Sequence, residues 1–199
     1  MKVVAIGSTP LDLELSCFGT LSKYKDQNEV NVIIAHNNKA KTTERRIKRL
    51  VESYRNMGIS EVYLTDGFDY STLTQRNVKV LRSLVEKITP SLAIIPFNNT
   101  FNLKRKILAH SSLIACHGIQ NVMMYELDKN PDFIPDTYVT ISNGISHTLH
   151  SFEVYDNQRK RELQRKMKSL YKFYSQQIRI HMPFEAFKSH RMMLIDNEF

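Results

Sequence analysis

The chain has 199 residues, 42% of them hydrophobic and 24% charged, and a formal net charge of +8. That length and balance suit one α/β domain with a full core, spanning residues 1–199, and exclude a disordered chain or two domains of ordinary size. Apolar runs of only a few residues exclude a transmembrane helix, and Met1-Lys2 enters a strand-like run with no leader, so a cytoplasmic protein with two reduced cysteines, Cys17 and Cys116, is expected.

The apolar run at residues 3–6 predicts a first strand. Gly7-Ser8-Thr9-Pro10 is a tight turn, and the pattern over residues 12–25 predicts a helix. Residues 30–35 read as a second, buried strand and residues 37–43 as a polar loop. Residues 44–57 show the 3.6-residue period and stop at Gly58. A short strand at 61–64, a loop at 65–71 and a helix at 73–88 follow. A fourth strand at 92–95 ends at Pro96, ahead of a polar loop (97–102) and a helix (103–116). Residues 122–127 and 137–141 read as strands. Residues 146–155, 159–177 and 185–194 are predicted helices.

Strands alternating with helices over the first 125 residues imply βαβ units. The expected architecture is therefore an α/β, Rossmann-like three-layer sandwich with a mainly parallel sheet. Sites in such sheets lie beyond the carboxyl ends of the strands, which selects the loops at 7–12, 36–43 and 96–102. His36 borders that cleft.

The first turn also resembles the signature of the PIG-L/LmbE family of zinc-dependent N-acetylglucosaminide deacetylases. Members read Ala-His-Pro-Asp-Asp-x-Glu, followed by small residues ending Gly-Thr-Leu. Here Pro10, Asp12, Glu14, Cys17, Gly19, Thr20 and Leu21 fit, while Thr9 stands at the zinc-binding His and Leu11 at the catalytic Asp. After the fourth strand the family carries Pro-x-x-x-Asp-x-His-Pro-Asp-His. In that place the chain runs from Pro96 to Arg105, with Asn102 at the oxyanion-stabilising His and Arg105 at the last zinc-binding His. The run Phe133-x-Pro135-Asp136-x-Tyr138-Val139-x-Ile141-Ser142 is similar to a further family strand. Tyr155 stands at the His of a motif whose Gln is Gln158, and Glu185-x-Phe187 with Arg191 fits the closing motif. Arg46 matches the Arg of Arg-x-x-Glu, whose Glu is Arg49 here.

The resemblance implies a zinc hydrolase fold with a cleft for an N-acetyl sugar. The substitutions imply that zinc chemistry is lost. A hydroxyl such as Thr9 is a poor zinc ligand, Arg105 has no lone pair to give, and Leu11 cannot take a proton. Of the family's metal positions, Thr9, Asp12 and Arg105, only Asp12 keeps a ligand type, so no zinc or other cofactor is expected. The catalytic positions, Leu11 and Asn102, are degenerate as well. A buried Asp12 without its metal needs another cation, and Arg105 is expected to pair with it.

By the same resemblance Asp12, Glu14, Arg46 and Asn102 are candidate substrate-binding residues. Glu14 reads equally well as a carboxylate favoured by the first turn of a helix. His147, His150 and Glu153 share a helical face with metal-binding spacing, or form a plain polar face. Cys17 and Cys116 read as core residues, and there is no Gly-rich phosphate loop.

Residues 159–179 hold eight basic residues and one acid, Glu162, which puts +7 in that segment; it is a solvated helix face or a surface for an anionic partner. The expected function is that of a deacetylase-like pseudoenzyme with a sugar or glycoconjugate ligand, or a partner in glycan biosynthesis, with a homo-oligomer open. The alternatives are an active N-acetyl-sugar deacetylase rebuilt on Asp12, Glu14 and His36, and an interaction module using the basic C-terminal helix.

Overall fold

The computed structural model describes residues 1–35, 41–65, 67–127, 130–142 and 144–192, with the side chains of 41–47 and 50 left aside. The described residues form a seven-stranded sheet in the order β3-β2-β1-β4-β5-β7-β6. The strands are β1 (Lys2–Gly7), β2 (Glu29–Ala35), β3 (Glu61–Thr65), β4 (Leu92–Pro96), β5 (Asn121–Tyr125), β6 (Thr137–Thr140) and β7 (Phe184–Arg191). The first five are parallel, and β7 runs antiparallel to both β5 and β6.

The helices are α1 (Pro10–Ser16), α2 (Phe18–Tyr24), α3 (Lys41–Asn56), α4 (Gln75–Ile88), α5 (Leu103–Ala115), α6 (Ile145–Ser151) and α7 (Asn157–Gln177), with a 3-10 turn at Phe152–Val154. Each central strand is apolar on both faces because helices cover both. In β1, Val3 and Ala5 join the core formed with α1, α2 and α7, whereas Val4 and Ile6 join the core formed with α4 and α5. Such continuous apolar runs identify buried parallel strands.

Chain order reverses at β1, which has β2 on one side and β4 on the other. The ends of β1 and β4 therefore flank a topological switch point, the usual place for a ligand crevice in this architecture.

Three expectations are corrected. The closing segment at 185–194 is not a helix; within the described residues it is strand β7. Phe184, Glu185, Ala186 and Phe187 are all buried, because β7 lies between two strands and is covered on both faces, so the period-2 signal of a strand is missing.

The helix expected over 12–25 is two helices, broken at Cys17 (φ −146°, ψ 6°). The break turns the start of α2 toward β7, where Glu185 accepts from the Gly19 N–H at 2.9 Å and the Thr20 N–H at 2.7 Å. Finally, the helix expected over 146–155 ends at Ser151 and tightens into the 3-10 turn.

Candidate functional site

The site begins where β1 stops. Thr9 is extended (φ −143°, ψ 158°) and caps α1: its Oγ1 accepts from the Asp12 N–H at 3.3 Å, and Asp12 Oδ2 accepts in return from the Thr9 N–H at 3.1 Å. Pro10, at the first helical position, loses nothing by lacking an N–H there. Asp12 Oδ2 also accepts from the Ser8 N–H at 3.1 Å and from the Ser8 hydroxyl. These donors fix one oxygen of a carboxylate that is only 4% exposed.

The other oxygen faces Arg105. Nη2 of Arg105 lies 3.3 Å from Asp12 Oδ1. The Arg is delivered by the first turn of α5, whose cap is Asn102: Asn102 Oδ1 accepts from the Arg105 N–H at 3.2 Å. The pairing anticipated from the sequence is thus present, and two capping motifs hold its two ends. Tyr125, at the end of β5, donates to the Ile6 carbonyl at 2.9 Å; burial, reinforced by the Asp12 carboxylate, pushes its phenol well above the usual range.

The other sequence-derived candidates that the structure describes are engaged in separate local contacts. Leu11 is half-buried against the core, and Asn102 is exposed with its carbonyl engaged in the cap. Glu14 is fully buried, and its Oε2 accepts from the Tyr155 hydroxyl at 2.8 Å. It joins α1 to the 3-10 turn rather than lining an opening. Arg46 lies in α3, but its side chain falls outside the described residues, as does His36. Glu153 is engaged with Lys160, and among the described residues no three His, Cys, Asp or Glu side chains converge on a metal-sized point. Cys17 and Cys116 are buried thiols, as expected.

Beside Arg105, a cavity of about 20 Å³ lies among Phe97, Thr100, Tyr125 and Glu126, room for about one water. Glu126 and Asn130 form part of its wall and part of the wall of a second cavity of about 560 Å³. That larger space is bounded by the rings of Phe133, Tyr138 and Phe173 and by Gln177. Glu126 Oε2 accepts from the Tyr174 hydroxyl at 2.8 Å. Burial, followed by that carboxylate, raises the Tyr174 phenol, so it stays a proton donor.

The sequence reading missed this second cavity. The signal was available, because the rule that selects the ends of β1, β2 and β4 applies equally to β5, which Glu126 follows.

The fold matches solved structures along nearly the whole chain. The conserved protein TT1542 from Thermus thermophilus superposes with a TM-score of 0.84 at 15% identity, covering 99% of this chain and 98% of its own. The N,N'-diacetylchitobiose deacetylase of Pyrococcus horikoshii gives 0.77 at 14%, covering 94% and 83%. The chain has the PIG-L/LmbE deacetylase fold.

This fold is not tied to one reaction. GalB, the 4-carboxy-2-hydroxymuconate hydratase of Pseudomonas putida KT2440, matches with a TM-score of 0.81 at 10% identity, covering 98% of both chains. A PIG-L/LmbE-type fold therefore does not by itself fix a reaction, and the chemistry has to be argued from the side chains. No family model matches the sequence, and no curated protein does.

Proposed function

We propose that the protein is a deacetylase-like sugar- or glycoconjugate-binding protein that does not use zinc. The observation that carries this reading is the Arg105–Asp12 contact of 3.3 Å. In the resemblance drawn above, Thr9, Asp12 and Arg105 occupy the metal positions, and these side chains do not fit a zinc ion. The Thr9 hydroxyl is occupied as a helix cap, and a guanidinium is a permanent cation with donors only. Arg105 supplies the positive charge that Asp12 would otherwise lack. Leu11, at the position of the family's base, has no proton-accepting group.

A ligand role is supported by the larger cavity. Its volume of about 560 Å³ is in the range of small-molecule sites, and it combines three aromatic rings with a carboxylate and two amides. Rings can cover the apolar face of a pyranose while polar groups meet its hydroxyls.

The test is made on protein purified without chelator. Zinc content by mass spectrometry is expected to be far below one ion per chain, with no acetate released from N-acetylglucosamine or N,N'-diacetylchitobiose. Saturation-transfer NMR with the same two sugars is expected to show contact, weakened by Phe173→Ala. Stoichiometric zinc with acetate release would instead establish a working deacetylase, and absence of sugar contact would refute the ligand role.

A further inference from the structure

Helix α7 spans 21 residues and packs through Leu163, Met167, Tyr171 and Tyr174, which are all buried. Its outward side carries Arg161, Arg165, Lys168 and Lys172, all exposed. Their separations of four, three and four residues place them on one stripe of an α-helix.

The nearby acids are engaged elsewhere: Glu162 pairs with Arg159 at 2.8 Å, and Glu153 pairs with Lys160. Among the described residues, none of the four stripe side chains has an acidic partner; the Arg165 guanidinium lies along the helix and donates to the Arg161 carbonyl at 3.4 Å. Four cations therefore lie in a row about 16 Å long at a helical rise of 1.5 Å per residue.

We infer that this stripe is a docking surface for the sugar–phosphate backbone of a nucleic acid. The inference is independent of the sugar-binding reading above. A row of about 16 Å runs beside roughly five base-pair rises of a duplex at about 3.4 Å each. Each rise carries one phosphate per strand, so four cations find at least as many phosphates near them.

Two features favour a phosphate backbone over an anionic membrane. Helices that lie on membranes bury an apolar face among the lipid chains, whereas the apolar face of α7 is occupied by the protein core. Within the stripe itself there is no large apolar side chain to insert. Backbone contacts of this kind read charge and not base sequence, so binding is expected to be sequence-independent.

The experiment is fluorescence anisotropy with the full chain and a fluorescein-labelled DNA duplex of about 20 base pairs. The expected Kd is on the order of 10⁻⁵ M at about 50 mM salt, with a slope of log K against log salt of about −3 to −4 for four contacts. Combining Arg161→Gln, Arg165→Gln, Lys168→Gln and Lys172→Gln is expected to weaken binding more than about 10-fold and to flatten the slope to about −1 or less. A control variant with Arg76→Gln, Lys79→Gln, Lys104→Gln and Lys106→Gln removes the same charge from α4 and α5, on the other side of the sheet, and should keep the wild-type slope.

The single change Lys168→Glu gives the same direction of effect should the fourfold variant fail to fold. Absence of DNA binding at low salt, equal loss in the control, or binding only to phosphatidylserine-containing vesicles would each overturn the inference.

Discussion

Arg105 Nη2 stands 3.3 Å from Asp12 Oδ1, across the gap between the ends of β1 and β4. One partner arrives on a capping box after β1 and the other on an Asn-capped helix after β4. The pair is therefore fixed by backbone geometry at both ends. Replacing Arg105 by Met keeps the aliphatic stem and removes the charge. Asp12 retains its Ser8 and Thr9 donors, and the guanidinium side chain is 22% exposed, so water replaces part of what is lost. The expected loss is about 1–2 kcal/mol in urea unfolding, below the cost of breaking a fully buried pair. Arg105→Lys should recover part of it, since a point charge replaces the planar fork. An Arg105→Met protein as stable as wild type would show that the contact contributes nothing.

What was legible from sequence follows from how local each signal is. The β1–α1 turn could be read because Thr9, Pro10 and Asp12 are cap and first-turn residue types, and their partners lie within four positions. The buried runs of β1, β2 and β4 were visible because parallel strands covered on both faces need continuous apolar residues. The break at Cys17 was not legible, since Gly19 and Thr20 are held by a carboxylate 166 and 165 residues away, respectively. β7 was hidden for another reason: four consecutive buried residues, Phe184 to Phe187, leave no period-2 signal to mark a strand. The Asp12–Arg105 pairing was legible through the motif frame, whereas the burial of Glu14 against Tyr155 needed the fold.

Glu185 sets a pH dependence of stability. Burial pushes its carboxyl up to about 7, against donors from Thr20, Gly19 and Tyr171 that pull it down. The unfolded group titrates near 4.5, so between about 4.5 and 7 the folded chain holds a proton that the unfolded chain has released. This group's contribution is therefore fully present below about 4.5 and is lost as pH rises toward 7. The stability difference between wild type and Glu185→Gln should shift against wild type by about 2–3 kcal/mol from acid to neutral pH. Urea unfolding in steps across that range measures it, and a pH-independent difference would contradict the raised carboxyl.

Helices α2 and α6 meet at two glycines. A Cβ added to Gly144 would lie 2.6 Å from the Gly19 carbonyl oxygen and 2.9 Å from its Cα, both backbone atoms that cannot swing aside. Gly144→Ala is expected to cost about 2–3 kcal/mol by forcing the helices apart. Gly118, where an added Cβ meets nothing within 4 Å, provides the contrast: Gly118→Ala should change stability by less than about 0.5 kcal/mol. Thermal melts of the two variants side by side decide it. Equal effects would mean that the Gly19–Gly144 approach relaxes freely.

If Thr9, Asp12 and Arg105 do occupy a former metal site, restoring two imidazoles should recreate it. Zinc needs three protein ligands with lone pairs and an open position, and the present site offers only the Asp12 carboxylate of that kind. Thr9→His alone leaves the Arg105 cation 3.3 Å from that carboxylate, so zinc is repelled. Arg105→His alone removes the cation but supplies only two ligands. The double variant supplies His, Asp and His and is expected to hold about one zinc per chain through dialysis, where neither single variant does. Zinc analysis reads the stoichiometry, and a zinc-dependent rise in melting temperature confined to the double variant reads the coupling to folding. Zinc retained by Thr9→His alone would show that Arg105 does not stand in for the metal, and no zinc in the double variant would show that these positions do not converge as the family resemblance implies.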